Sequence, residues 1–181
     1  MDETKRTPET ILLTQQGAPN PWCVAAQLLL DINSIDYRLV PCIIDDHKEY
    51  IKRISGQTSL PVIAINDEIV LVDRYEIISH FKKCLPWNDD VKYWVELVAG
   101  ENGLGWNRRL ILVHEILSHP ARYPQMVQPA MRLGANYGYC ESTAIEAPER
   151  IQTIMRKITS AVKINDYIFE NRLSVADVYV A

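Results

Sequence analysis

The sequence predicts an α+β domain of order β-α-β-α-β-β-α, followed by an all-α domain. Three observations carry that reading. Short apolar runs of strand length alternate with helical patterns as far as Lys82 and then cease. Asn66-Asp67-Glu68 separates two apolar runs in the manner of a hairpin turn. Leu85-Pro86-Trp87-Asn88-Asp89 then breaks one helix and supplies caps for the next. The boundaries follow: a flexible tail at 1–9, a first domain at 10–83, a linker at 84–90 and a helical domain at 91–181.

Taken in order, Ile11-Leu12-Leu13-Thr14 is a short buried strand, ended by the breaker-rich stretch from Gln15 to Pro19. Pro21 then stands in a first helical turn, where a missing N–H forfeits no bond, and Asn20 before it is a favourable N-cap. The helix over 22–33 is apolar nearly all round, through Val24, Ala25, Ala26, Leu28, Leu29, Leu30 and Ile32, which predicts deep burial. Residues 35–40 alternate as a second strand, and 45–54 form a short charged helix closing at Ser55-Gly56. Residues 62–65 and 69–72 are the hairpin strands, and a helix over 74–82 buries Ile77, Ile78 and Phe81. A long helical crossover makes the first two strands parallel, whereas the hairpin is antiparallel, giving a mixed four-stranded sheet.

Beyond the linker no strand pattern appears. Residues 90–99 place Val91, Trp94, Val95 and Val98 on one helical face. Gly100, Gly103 and Gly105 each weaken a helix by about 1 kcal/mol relative to Ala, so a bend or break is predicted there. Helix resumes over 110–117 and stops before Pro120. Ile151, Ile154, Met155, Ile158 and Val162 form an apolar stripe that begins just after Pro148, and a last apolar segment covers 173–181.

Composition excludes several classes. The formal charge of −4 falls within residues 1–82, and neither half is basic, so no nucleic-acid footprint is indicated. The charged start argues against a signal peptide, and no run of about 18 apolar residues predicts a membrane span. Cys23, Cys42, Cys84 and Cys140 lie far apart without a C-x-x-C pair, which suits a reducing cytosol and a cytoplasmic location.

Three separated motifs fall in one order: Ala18-Pro19-Asn20-Pro21-Trp22-Cys23-Val24 at the first strand-to-helix junction, Ser59-Leu60-Pro61-Val62, and Ser174-Val175-Ala176-Asp177. Leu71-Val72-Asp73-Arg74 stands between the last two. Over residues 10–181 these resemble the glutathione transferase superfamily of the cytosolic type, with asparagine where serine, cysteine or tyrosine is usual. The resemblance implies a thioredoxin-like first domain that binds glutathione as co-substrate, without a metal, and a helical second domain. It assigns Asn20 the catalytic contact to the glutathione sulfur. Leu60 and Pro61 form the family's cis-proline step, which grips the cysteinyl backbone. Asp73 is matched to the γ-glutamyl ammonium; Arg74 replaces the serine that holds the γ-glutamyl carboxylate and offers a bidentate contact instead. Lys48, with His47 and Gln57, is a candidate for the glycyl carboxylate, against the reading of 47 and 48 as a solvated helix face. Ser174 and Asp177 match the buried capping box of the helical domain and are structural.

The residues themselves leave two alternatives at each of two positions. Asn20 is either a helix cap alone or also a donor to a thiolate, which a helix N-terminus stabilises. Pro61 is either the cis step or a trans proline opening an edge strand. Other signals fall away. His114-Glu115 and His119 are spaced i, i+5, about 140° apart around the helix, so the zinc-protease pattern fails. Gly100-x-x-Gly103-x-Gly105 lacks the strand and Lys-Ser/Thr of a phosphate loop. Trp106, Arg108 and Arg109 can shape an electrophile site or serve core and solvent roles. Cys23 reads as a small buried apolar residue, since the position three residues earlier, where a thiol-disulfide enzyme has its nucleophile, holds Asn20.

The resemblance therefore implies a detoxifying transferase that joins the glutathione thiolate to a small hydrophobic electrophile bound between the two halves, acting as a homodimer without nucleic-acid or membrane partners. One alternative is a non-enzymatic interaction module of the same fold; another is a glutathione-dependent disulfide or peroxide reductase. The chain stops at Ala181, inside what the resemblance makes the central buried helix of the second domain, so that domain reads as truncated at its C-terminus.

Overall fold

A computed structural model describes residues 9–17, 20–66, 68–83 and 85–180. The expectations for most of the 1–9 tail, for Ala18 and Pro19, and for Asp67, Cys84 and Ala181 fall outside those residues. The described chain divides into two compact units, one running to Pro86 and the other Trp87–Val180.

In the first unit, β1 (Thr10–Gln15) pairs in parallel with β2 (Tyr37–Cys42) on one side and antiparallel with β3 (Val62–Ile65) on the other; β4 (Ile69–Leu71) closes the order β2-β1-β3-β4. This is the predicted thioredoxin-like mixed sheet. Its two interior strands carry the dry centre, with Leu12 and Leu13 of β1 at 0% and 1% exposure and Val62 and Ile63 of β3 both at 0%. Several strand boundaries move, and β4 ends at Leu71 rather than 72. β1 extends to Gln15, and β2 starts at Tyr37 and runs through Pro41 to Cys42, not 35–40. β2 is an edge strand, so the N–H that Pro41 lacks is not needed by a further neighbour.

Three helices complete the unit. α1 (Pro21–Ile32) buries Cys23, Ala25, Ala26, Leu29 and Leu30, but Val24 and Ile32 are exposed, so its apolar girth is not buried all round. It packs on α3 (Arg74–Phe81), which buries Ile77, Ile78 and Phe81 as predicted. α2 (Ile44–Ser55) ends at Gly56, whose φ of 73° is the left-handed cap that glycine adopts without a Cβ penalty. Asn66 also has positive φ, 53°, and ties the hairpin turn to the start of β1 by exchanging hydrogen bonds with the Glu9 backbone.

The second unit is helical throughout: α4 (Asp89–Ala99), α5 (Leu104–Ser118), α6 (Val127–Asn136), α7 (Glu141–Ile164) and α8 (Val175–Val180). α5 is packed between α6 and α7, and α4 lies on α5 and α8. The break at the glycines occurs over 100–103, but helix resumes at Leu104 rather than Leu110, taking Gly105 into its first turn. α6 is an element the sequence pattern did not reveal. Pro148 lies inside α7 instead of opening it. Arg150 stitches that region: it donates to the carbonyl of Thr143 at 2.6 Å, to Glu146 at 3.1 Å and to Asn107 Oδ1 at 3.0 Å. Asn107, at 0% exposure, donates in turn to the carbonyls of Asn102 and Gly103, so a fully satisfied polar bridge joins α5 to α7.

Candidate functional site

The start of α1 is built by one carboxamide. Asn20 Oδ1 accepts the backbone N–H of Trp22 at 3.1 Å and of Cys23 at 3.4 Å, satisfying two of the orphan donors of the helix. Its Nδ2 donates to Gln15 Oε1 at 3.0 Å. Asn20 is thus a cap, and its amide nitrogen is turned away from the helix.

Under that turn lies an apolar cluster of Leu13, Cys23, Cys42, Ile51, Leu60 and Val62, with Ile44, Ile54, Val70 and Val72 packed against it. The cluster draws three loop ends together: Cys23 belongs to the first turn of α1, Leu60 to the approach to β3, and Val72 to the residue before Asp73. The Leu60–Pro61 peptide bond is cis. β3 begins one residue later, where Val62 pairs with Leu13, so the Leu60 amide and carbonyl lie just outside the ladder. They take no hydrogen bond among the described residues. The segment before them is braced: Ser55 Oγ donates to the Ile51 carbonyl at 2.7 Å, and Ser59 Oγ to Gln57 Oε1 at 2.9 Å.

Asp73 is the N-cap of α3, its Oδ1 accepting the Tyr75 N–H at 2.7 Å. Glu76 completes a capping box by accepting the backbone N–H of Asp73 at 3.3 Å and that of Val72 at 3.2 Å. The motif Asp73-Arg74-Tyr75-Glu76 is a readable box in the sequence that motif-matching to a ligand site overlooked. The Arg74 guanidinium stands 4.9 Å from the centre of the Tyr75 ring. Lys48 is exposed on α2. His47 turns its Nδ1 to the Ile43 backbone, and Gln57 is engaged with Ser59. Leu60 belongs to the cluster, and Asn20, Pro61 and Asp73 each stand within three residues of Cys23, Leu60 or Val72, which build or flank it; Lys48 is exposed on α2.

In the helical unit, Ser174 donates its N–H and its O–H to Asp177 Oδ2 at 2.8 and 2.7 Å, and Ser174 is fully buried. The second carboxylate oxygen of Asp177 accepts the Ile168 N–H. Trp106 packs edge-on to Tyr137 at 4.7 Å. Burial pushes the Tyr137 phenol up, and the Arg109 guanidinium beside it works in the opposite direction. His114 Nδ1 lies 3.0 Å from the Tyr139 hydroxyl, and His119 Nδ1 contacts the Glu115 carbonyl. Among the described residues no group of three or more His, Cys, Asp or Glu is placed to hold a metal ion, and no helix is long and apolar enough to cross a membrane.

The three described cysteines differ sharply. Cys23 and Cys42 are buried, and burial with Cys23 nearby pushes the Cys42 thiol up. Cys140 is exposed at the start of α7, where the Ser142 hydroxyl and then the Thr143 hydroxyl bring its thiol down to about 7. Nothing in the sequence pattern had singled out Cys140 or Gln15.

The glutaredoxin family model matches residues 21–70. No curated protein matches the chain in sequence. Solved structures resemble nearly all of it. The β-etherase LigF from a Sphingobium species has a TM-score of 0.69 at 13% identity, covering 96% of this chain and 81% of its own. A Methylobacterium radiotolerans glutathione S-transferase in complex with glutathione sulfonate has a TM-score of 0.65 at 13% identity, covering 94% and 75%. A glutathione S-transferase from Methylobacillus flagellatus with glutathione bound has a TM-score of 0.62 at 14% identity, covering 94% and 79%. The chain has the fold of the glutathione transferases.

Proposed function

We propose that this chain, having the fold of the glutathione transferases, binds reduced glutathione and transfers its thiolate to a small electrophile. The observation that carries the reading is the open backbone of Leu60 at a cis-proline step, packed in one cluster with the first turn of α1. An extended peptide can pair with that backbone as an added strand. On this reading the cysteinyl residue of glutathione pairs with Leu60 beside Pro61, and its sulfur lies by Asn20. The helix N-terminus and one N–H of the Asn20 amide favour the anionic form of that sulfur. Asp73 takes the γ-glutamyl ammonium with its exposed carboxylate, Arg74 takes the γ-glutamyl carboxylate, and Lys48 the glycyl carboxylate.

The domain roles follow the same reading: 10–83 binds glutathione, 84–90 links, and 91–181 is the helical domain. The chain acts as a cytoplasmic homodimer in detoxification. A second reading, disulfide or peroxide reduction by the thiol of bound glutathione, is favoured by the glutaredoxin match over residues 21–70. An interaction module without catalysis is the third, favoured by the capping duties of Asn20 and Asp73.

Calorimetric titration with reduced glutathione tests the proposal. Binding between about 1 μM and 1 mM, −8 to −4 kcal/mol, supports it. A folded chain that releases no heat in that range contradicts both enzymatic readings. Turnover of disulfides but not of electrophiles favours the second over the first.

A further inference from the structure

We propose that Gln15 is a positioning residue that aims the amide nitrogen of Asn20 at the sulfur of bound glutathione; this rests on the reading of Asn20 given above. A carboxamide has two acceptor sites on oxygen and two N–H donors on nitrogen, all in one plane. Backbone N–H groups only donate, so the helix start fixes which end of Asn20 faces it: Oδ1 takes both Trp22 and Cys23. The nitrogen must then point away. One of its hydrogens goes to Gln15 Oε1 at 3.0 Å. Among the described residues none takes the other, so that hydrogen has a set direction and an open end.

Gln15 holds this direction from the sheet. It is the last residue of β1, in register with Cys42, and the next residue's N–H donates to the Cys42 carbonyl at 2.8 Å. Two cap bonds of 3.1 and 3.4 Å leave the amide plane free to tilt about its terminal torsion, which is broad for asparagine. The bond to Gln15 removes that freedom. Gln15 touches no reacting atom on this account; it acts through Asn20.

The test is the thiol pKa of glutathione bound to the full chain, read from thiolate absorbance in the ultraviolet, in wild type, Gln15→Met, Asn20→Gly and the double variant. Methionine keeps the length of glutamine without its acceptor, and glycine is itself an accepted N-cap, so both variants keep the helix start. Gln15→Met is expected to raise the bound thiol pKa by about one unit, roughly tenfold less thiolate, with glutathione affinity at acidic pH unchanged. In the Asn20→Gly background the same substitution is expected to add nothing, which a purely structural role for Gln15 would not produce. An unmoved pKa in Gln15→Met, or an equal shift with and without Asn20, overturns the inference while leaving the proposed function standing. Wild-type protein that binds no glutathione, or binds it without lowering its thiol pKa, overturns both.

Discussion

The carboxylate of Asp177 accepts the backbone N–H of Ile168, nine residues earlier, at 2.8 Å, while its other oxygen holds the N–H and O–H of Ser174. One side chain therefore satisfies two backbone donors that would otherwise be stranded beside the buried residues Ile168, Ser174 and Val175. Asp177→Ala is expected to destabilise the protein by about 3 kcal/mol, because both amides lose their partner at once. Ser174→Ala removes only a hydroxyl donor and is expected to cost about 1 kcal/mol. Chemical denaturation of the two variants checks the ratio; equal losses would contradict the assignment.

Gly103 permits the turn between α4 and α5. A Cβ built there would stand 2.9 Å from each of three backbone carbonyl oxygens, those of Glu96, Leu97 and Gly100, and none of these is a flexible side-chain end. Gly103→Ala is expected to lower stability by about 2 kcal/mol. An unchanged melting temperature would show that the turn opens without penalty.

Of the three described cysteines, Cys140 is expected to be the one that alkylates first. Hydroxyls of Ser142 and Thr143 favour its thiolate, so the fraction ionised passes one half at about pH 7 and levels above that. Cys42 moves the other way, since burial favours the neutral thiol. Mass spectrometry after brief iodoacetamide treatment should find Cys140 modified with a rate rising about tenfold per pH unit below 7, and Cys42 modified only after denaturation. Simultaneous labelling of both in folded protein would contradict this.

Arg74 and Asp73 separate ligand contact from helix capping. Asp73→Asn keeps an acceptor for the Tyr75 N–H and so keeps α3, but removes the charge proposed to hold an ammonium. Arg74→Ala removes the guanidinium and leaves the cap untouched. Each is expected to weaken glutathione binding about tenfold, ~1.4 kcal/mol, with little change in melting temperature. Calorimetry beside a thermal melt distinguishes the two effects.

Much of this fold is written in local signals. Asn20-Pro21, Asn66 with its flanking apolar runs, and Ser174-Val175-Ala176-Asp177 each state a turn or cap in a few residues, and the helical crossover with the hairpin states the mixed pairing of the sheet. Where tertiary context overrides propensity, the reading slipped. α6 carries Pro129 in its first turn, where no bond is forfeited, and Gly134 at a close approach, where an added Cβ would meet Tyr139 and Val113 at 3.1 Å; both residues disguise it as loop. Pro148 reads as a helix start, its commoner place, but lies inside α7, where Arg150 reaches back across it to the Thr143 carbonyl. Gln15 opens a breaker-rich stretch in the sequence, yet it ends β1. Its bond to Asn20 joins residues five apart, a spacing with no period to betray it. Glu76, three residues after Asp73, is legible in the sequence as its capping-box partner.

The most direct measurement is a crystal structure of the full chain grown with saturating reduced glutathione. The account predicts the cysteinyl backbone paired antiparallel with Leu60 beside the cis Pro61, and the sulfur within hydrogen-bond distance of Asn20 Nδ2 while Gln15 still holds the other hydrogen. Glutathione absent from that edge, or bound with its sulfur directed away from Asn20, would contradict it.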